Sequence, residues 1–189
     1  MAKYSIVIKL CAFVILFLSL ITPINAATPY ETEKFSESSY VLGPGDVIRI
    51  LVYDEPDLSF ELQLSDSGTI SYPFLGELRF VGLTADRLES RIILGLKGDY
   101  LVDPRVAVSI LRYRDFFING EVNRPGGVSF QPGLTVRKAI SLAGGFTERA
   151  SKRNIFLISD SDPDKTPKKV ALDFPVKPGD IITVEQSFF

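Results

Sequence analysis

The sequence predicts an α+β protein, and three observations predict it. Short runs of β-branched residues with alternating polarity recur from residue 47 to residue 184. Two stretches carry helix signals instead, residues 85–97 and Val136–Leu142. Gly, Pro, Asp and Ser punctuate the intervals between them.

Residues 1–26 come first and stand outside the fold. Lys3 and Lys9 precede an apolar run from Leu10 to Ile21, broken only by Ser19. The run is short for a bilayer span of about 20 residues. Thr22 and Pro23 end it, and Ala26 supplies a small residue where a signal peptidase cuts. These features predict a secretory signal; the alternative is an uncleaved anchor over residues 4–24, which Lys9 interrupts and Pro23 closes. Cys11 is the sole cysteine and lies inside the run, so it reads as a signal-core residue and not as a lipid acceptor. Removing the segment takes away two lysines and no acid, which deepens the net charge from −2 to −4. The remaining chain then holds no thiol to staple it.

Residues 27–39 are polar and aperiodic, a flexible leader. Residues 47–53 form a strand with Ile48, Ile50 and Val52 on one face. Residues 61–65 alternate, Asp66-Ser67-Gly68 turns, and residues 69–72 resume a strand that Pro73 ends. Residues 76–81 give a further strand. Thr84 is placed to cap a helix over 85–97, with Asp86 in its first turn and a stripe of Leu88, Ile92 and Leu96. A strand over 106–110 closes this unit.

The second unit opens with a strand over 116–122. Arg124-Pro125-Gly126-Gly127 reads as a turn and residues 128–130 as a strand. Pro132-Gly133 leads to Thr135, which caps a helix over Val136–Leu142 stopped by Gly144-Gly145. Residues 155–158, 169–172 and 181–184 read as strands. Two units of about 75 residues result, 40–114 and 115–189. Domains that small bury little of their chain, so they are expected to pack on each other or on other copies. One echo links them. Gly43-Pro44-Gly45-Asp46 and Lys177-Pro178-Gly179-Asp180 each lead into an alternating strand, and both read as turns with a positive φ at Gly.

Composition excludes several chemistries. There is no His, so there is no imidazole base and no His-ligated metal. With 21 basic against 23 acidic residues the chain has no electrostatic footprint for nucleic acid. Asp54-Glu55-Pro56-Asp57 lies in one short loop and does not set two carboxyls across a sugar cleft. Asp160-Ser161-Asp162-Pro163-Asp164 opens like a calcium loop, but its sixth and twelfth positions hold Lys165 and Ala171. No Gly-rich phosphate frame occurs. Basic residues gather at Arg105, Arg112 and Arg114, and again at Arg149, Lys152 and Arg153; either group could meet an anionic polymer. No catalytic, metal or cofactor site stands out.

The ordered motifs resemble a known family. Residues 40–50, Tyr-Val-Leu-Gly-Pro-Gly-Asp-Val-Ile-Arg-Ile, resemble the opening of the polysaccharide biosynthesis/export domain. Residues 52–59, Gly68-Thr69-Ile70 with Pro73, Leu75-Gly76-Glu77, Gly82-Leu83-Thr84 and residues 100–106 continue the pattern. The second unit resembles a soluble-ligand-binding β-grasp (SLBB) domain through Gly120-Glu121-Val122, Pro125-Gly126, Pro132-Gly133, Gly144-Gly145 and Pro178-Gly179-Asp180. The resemblance implies an N-terminal mixed β/α export domain followed by a β-grasp domain, in the outer-membrane polysaccharide export family. It implies no enzymatic step and no cofactor. It implies a periplasmic ring of identical copies, associated with the outer membrane, that conducts a capsule or exopolysaccharide chain and docks on an inner-membrane co-polymerase. Larger relatives carry a lipidated cysteine, further β-grasp repeats and a C-terminal pore helix. The sequence shows none of these, so a short periplasmic form working with a separate outer-membrane β-barrel is expected. Arg105, Arg112 and Arg114 are the candidates for facing the polymer. Two other readings remain: a glycan- or ligand-binding module without a transport role, and a periplasmic enzyme acting on glycans.

Overall fold

The alternating run at Ile48, Ile50 and Val52 can bury one face only against something apolar, and its partners are two antiparallel strands and a helix. A computed structural model describes residues 36–187. The expected signal segment with Cys11, and leader residues 27–35, lie outside the described residues. The leader's end is ordered: Glu37–Ser39 make a 3-10 turn that leads to the buried Tyr40.

Strand β1 (Val47–Val52) lies between β2 (Phe60–Gln63) and β5 (Val106–Arg112), antiparallel to both. Val47 pairs with Gln63 and Ile50 with Phe60; across the other edge Ile48 pairs with Ile110 and Val52 with Val106. Helix α1 (Ala85–Leu96) packs on β5. Its Leu88, Ile92 and Leu96 are fully buried in the core that also holds Ile48, Ile50 and Val52, each worth about 1.5–3 kcal/mol against exposure. Thr84 caps it by accepting a hydrogen bond from Arg87 N at 3.4 Å. The helix ends one residue earlier than the stripe predicts, because Lys97 is already extended (ψ 128°).

A hairpin of β3 (Thr69–Tyr72) and β4 (Gly76–Arg79) completes this half. Tyr72 is buried and donates to Leu58 O at 3.0 Å; burial pushes its phenol up to about 12. The hairpin turn places Pro73 at its second position and Phe74 at its third, with Leu75 N bonded back to Tyr72 O. Phe74 has φ +64°. That conformation costs a residue with a Cβ about 1–2 kcal/mol, and glycine is the usual occupant.

The second half is a mixed five-stranded sheet ordered β7-β6-β10-β8-β9, with one helix. Its strands are β6 (Phe116–Gly120), β7 (Gly126–Val128), β8 (Ala150–Ile158), β9 (Lys168–Lys169) and β10 (Ile181–Gln186). The central pair β6–β10 is parallel, with Ile182 beside Ile118. Helix α2 (Val136–Leu142), capped by Thr135, buries Val136, Ala139 and Ile140. This is the β-grasp arrangement. At Gly120 (φ +82°) a Cβ would overlap the carbonyl oxygen of Val184 on the neighbouring strand, so the position admits only glycine.

Several boundaries differ from the sequence pattern. Gly126-Gly127 is not a turn but most of β7, paired antiparallel with Ile118 and Phe117. Gly127 lies beside the Phe117 ring, where a Cβ would come to 3.3 Å. Ser129 and Phe130 leave the strand, and buried Phe130 packs edge-on to Tyr113 at 5.5 Å. Strand β8 starts at Ala150, because Ala150 regains pairing with Gln186 across a bulge. The strand expected over 169–172 shrinks to β9: Val170 N still bonds to Ile155 O on β8, but the carbonyls of Leu172 and Phe174 accept instead from Arg137 N and Val136 N at the start of α2.

Candidate functional site

The two Pro-Gly-Asp turns share one local geometry. Asp46 N donates to Gly43 O and Asp180 N to Lys177 O, both at 3.2 Å. Gly45 and Gly179 take φ +92° and +83°. Each aspartate then reaches back three residues: Gly43 N donates to Asp46 Oδ2, and Lys177 N to Asp180 Oδ2, both at 2.8 Å. Both carboxylates are buried, at 0% and 2% exposure. Each glycine N–H bonds outside its turn, to Leu64 O and to Asp115 O. The sequence echo is therefore a repeated structural device, an aspartate whose side chain locks its own turn at a strand start.

The structure joins the two turns through Arg114. Its backbone N donates to Asp46 Oδ1 at 2.7 Å, and its guanidinium reaches Tyr40 Oη, Asp46 Oδ2 at 3.4 Å and Asp160 Oδ2 at 2.9 Å. Asp160 N in turn donates to Asp180 Oδ1 at 3.1 Å. Tyr40 Oη donates to Asp46 at 2.8 Å, and the guanidinium lies 5.5 Å from the Tyr40 ring centroid. The Tyr40 and Phe130 rings both meet Tyr113 edge-on, at 5.0 and 5.5 Å. Gly43 and Gly179 leave room for this chain of contacts: a Cβ at Gly43 would meet the Arg114 guanidinium, and one at Gly179 would lie 2.8 Å from the Asp160 carboxyl carbon.

Electrostatics follow from burial and pairing. Burial works against the Arg114 charge, but the attraction of Tyr40, Asp46 and Asp160 outweighs it and holds its pKa above the ordinary value. Burial first, and the Asp46 carboxylate second, push the Tyr40 hydroxyl far up, so it stays a phenol. Burial also works against the Asp160 charge, yet hydrogen bonds from Lys165 and Arg114 hold its carboxyl below the usual range. Asp180 is raised by burial, which its backbone hydrogen bonds only partly offset.

Beside this joint lies a cleft of about 180 Å³, lined among others by Ser36, Ser39, Tyr40, Arg114, Ser159 and Asp160. The arrangement offers hydrogen-bonding groups and a firmly held cation. Tyr40, Arg114 and Asp46 satisfy one another and present no activated nucleophile. Among the described residues no group of three acidic or thiol side chains is set to hold a metal ion.

The expected site residues separate by place. Pro44, Gly45, Asp46, Pro178, Gly179 and Asp180 come together at the joint through Arg114 and Asp160. Pro125, Gly126, Pro132, Gly133, Gly144 and Gly145 lie around β7 and α2, as turns and strand; Asn123 N bonds to Gly145 O. Of the three arginines proposed to face the polymer, Arg114 is 19% exposed and engaged by Asp46 and Asp160. Arg105 is 66% exposed, pairs with Asp54 at 2.9 Å and lies over the Tyr53 ring. Arg112 is exposed at the other end of β5. Arg105, just before β5, and Arg112 at its end stand seven residues apart, about 23 Å in an extended strand, so they do not form one patch. Sequence reasoning missed Asp160 and Tyr40 as joint residues. The signal for Asp160 lay in the aspartate run that resembles a calcium loop, and only its distant partner gives that residue meaning.

Comparison with known proteins adds the following. Residues 35–111 match the family described as polysaccharide biosynthesis/export protein, and residues 116–166 match the SLBB domain. The chain is 26% identical over 181 residues to the EPS I polysaccharide export outer membrane protein EpsA of Ralstonia nicotianae (strain ATCC BAA-1114 / GMI1000), covering 78% of this chain and 47% of that protein. It is 33% identical over 120 residues to the exopolysaccharide production protein ExoF of Rhizobium meliloti (strain 1021), covering 56% of this chain and 28% of that one. The chain thus spans less than half the length of these curated relatives.

Proposed function

The chain belongs to the outer-membrane polysaccharide export family, carrying its export domain and then an SLBB domain, and we propose that it is a periplasmic component of a capsule or exopolysaccharide exporter. In this reading identical copies form a ring that conducts the polymer toward the outer membrane. The ring docks on an inner-membrane polysaccharide co-polymerase and hands the chain to a separate outer-membrane β-barrel. The protein moves polymer and breaks no bond. Residues 1–26 direct it across the inner membrane, and Cys11 carries no lipid. In this reading the crossing of the outer membrane is the β-barrel partner's task; among the described residues of this chain no helix is long and apolar enough to cross a membrane.

The observation that carries this reading is the ordered pair of domains matched over residues 35–111 and 116–166. Their geometry supports it. A ring subunit must transmit one fixed angle between its domains, and the Asp46–Arg114–Asp160 chain ties the export domain to the β-grasp domain through one ion pair to the buried Asp46 and one to the partly exposed Asp160. The cleft beside Arg114 supports the second reading, a glycan- or ligand-binding module.

The deciding experiment removes the gene and measures polymer outside the cell, then restores it on a plasmid. Loss of external polymer with repeat units still made inside is the expected result. Undiminished external polymer overturns the export role. The mass of the purified protein, alone and with the periplasmic part of the co-polymerase, checks the ring; a monomer in both conditions removes it and favours the binding module.

A further inference from the structure

The turn at Phe74 holds an aromatic ring in solvent by means that do not serve folding. Phe74 is 65% exposed and sits at φ +64°, where glycine is the unstrained choice. Strain of this kind persists only where the surroundings enforce it, and they do so here. The Tyr100 ring stacks on Phe74 at 4.9 Å with an interplanar angle of 24°, and Tyr100 Oη donates to Phe74 O at 3.3 Å. Leu75 anchors the turn against α1 at Gly95, where a Cβ would come within 2.8 Å of its Cδ1. A strained residue, a glycine in the last turn of α1 that leaves room for Leu75, and a bonded tyrosine thus combine to hold the outer face of Phe74 toward water.

An exposed aromatic face takes ligands that offer polarised C–H groups, because the face carries the negative side of the ring quadrupole. The axial C–H groups of a pyranose are such a surface. The surroundings fit its hydroxyls: Asp99 and Asp103 flank Tyr100 and Glu77 follows the turn, all exposed and without an ion pair among the described residues. These carboxylates accept hydroxyl hydrogen bonds and repel anionic chains. Because the Tyr100 ring covers the inner face, the free apolar area is the outer face of Phe74, one ring wide and small for the core of a protein interface. We infer that Phe74 and Tyr100 form a stacking platform for an uncharged hexose chain. The choice of a sugar over a protein rests on the export reading above.

Saturation-transfer NMR on the purified full chain with maltoheptaose and cellohexaose tests it. In the wild type, saturation is expected to reach the ring C–H protons of at least one of the two sugars. In Phe74→Gly the affinity falls at least about tenfold, the scale of one lost aromatic stack, while the melting temperature holds or rises because glycine suits the turn. Phe74→Leu keeps an apolar side chain and loses the ring; binding is expected to fall there too. No transfer to either sugar in the wild type, or unchanged binding in Phe74→Gly, overturns the platform. So does a drop in native mass in Phe74→Gly with sugar binding intact, which makes the ring a protein contact. The gene-deletion result stands apart: lost export with a failed platform leaves the export role intact.

Discussion

Arg114 shows why a single residue's role depends on what surrounds it. As a member of a basic group beside Arg112 it looked like a polymer contact, yet its guanidinium spans two carboxylates from opposite ends of the chain. Breaking a shielded pair strands the remaining charge. Arg114→Ala is therefore expected to cost about 3 kcal/mol in urea unfolding, through buried Asp46. Arg114→Lys should recover little, since a point charge cannot fork between Asp46 and Asp160. Asp160 supplies a pH signature. Its folded pKa lies below the unfolded value, so its stabilisation is present above that unfolded value and is lost as pH falls through the folded one. Asp160→Asn should lower stability at neutral pH by no more than about 1 kcal/mol, given its partial exposure. The deficit should shrink as pH falls below the ordinary aspartate range and through the folded pKa, where the wild-type carboxyl becomes protonated in both states. A constant deficit down to pH 2 in denaturant titrations contradicts this.

At the scale of elements, caps and a close approach decide more than propensity. Thr84 is the cap the pattern predicts, and Thr84→Ala should cost about 1 kcal/mol. Gly120 is harder to read. Its glycine looks like one more turn, but β10 runs so close that a side chain meets the Val184 carbonyl. Gly120→Ala should lose at least about 2 kcal/mol, or fail to fold, by thermal melting. Helices were legible nearly to the residue because the stripe at Leu88, Ile92 and Leu96 and the cap at Thr84 lie within 13 residues of each other. Strand ends were less legible. Strand β7 is Gly-Gly-Val, a string with almost no strand propensity, and it is a strand because β6 offers Phe117 and Ile118 to pair with.

For the whole molecule, the joint predicts coupled unfolding. Tyr40, Tyr113 and Phe130 pack in series while Arg114 ties Asp46 to Asp160. The two halves are expected to melt in one transition by tyrosine absorbance and far-ultraviolet circular dichroism alike. In Arg114→Ala the two probes should separate. Two transitions already in the wild type would show that the joint does not couple them.

The sequence alone determined the α+β class, the domain order, both helices with their caps, and the two Pro-Gly-Asp turns. Those features rest on residues near one another in the chain, where periodicity and turn chemistry act directly. Tertiary structure decided the rest. It made Arg114 a joint residue, drew Asp160 out of its loop to meet it 46 residues away, turned Gly126-Gly127 into a strand and held Phe74 outward. Arg114, Asp160 and Phe74 depend on partners 26 to 68 residues away, and Gly126-Gly127 on its pairing with β6, and burial and pairing energies of this kind leave no periodic trace in the local sequence.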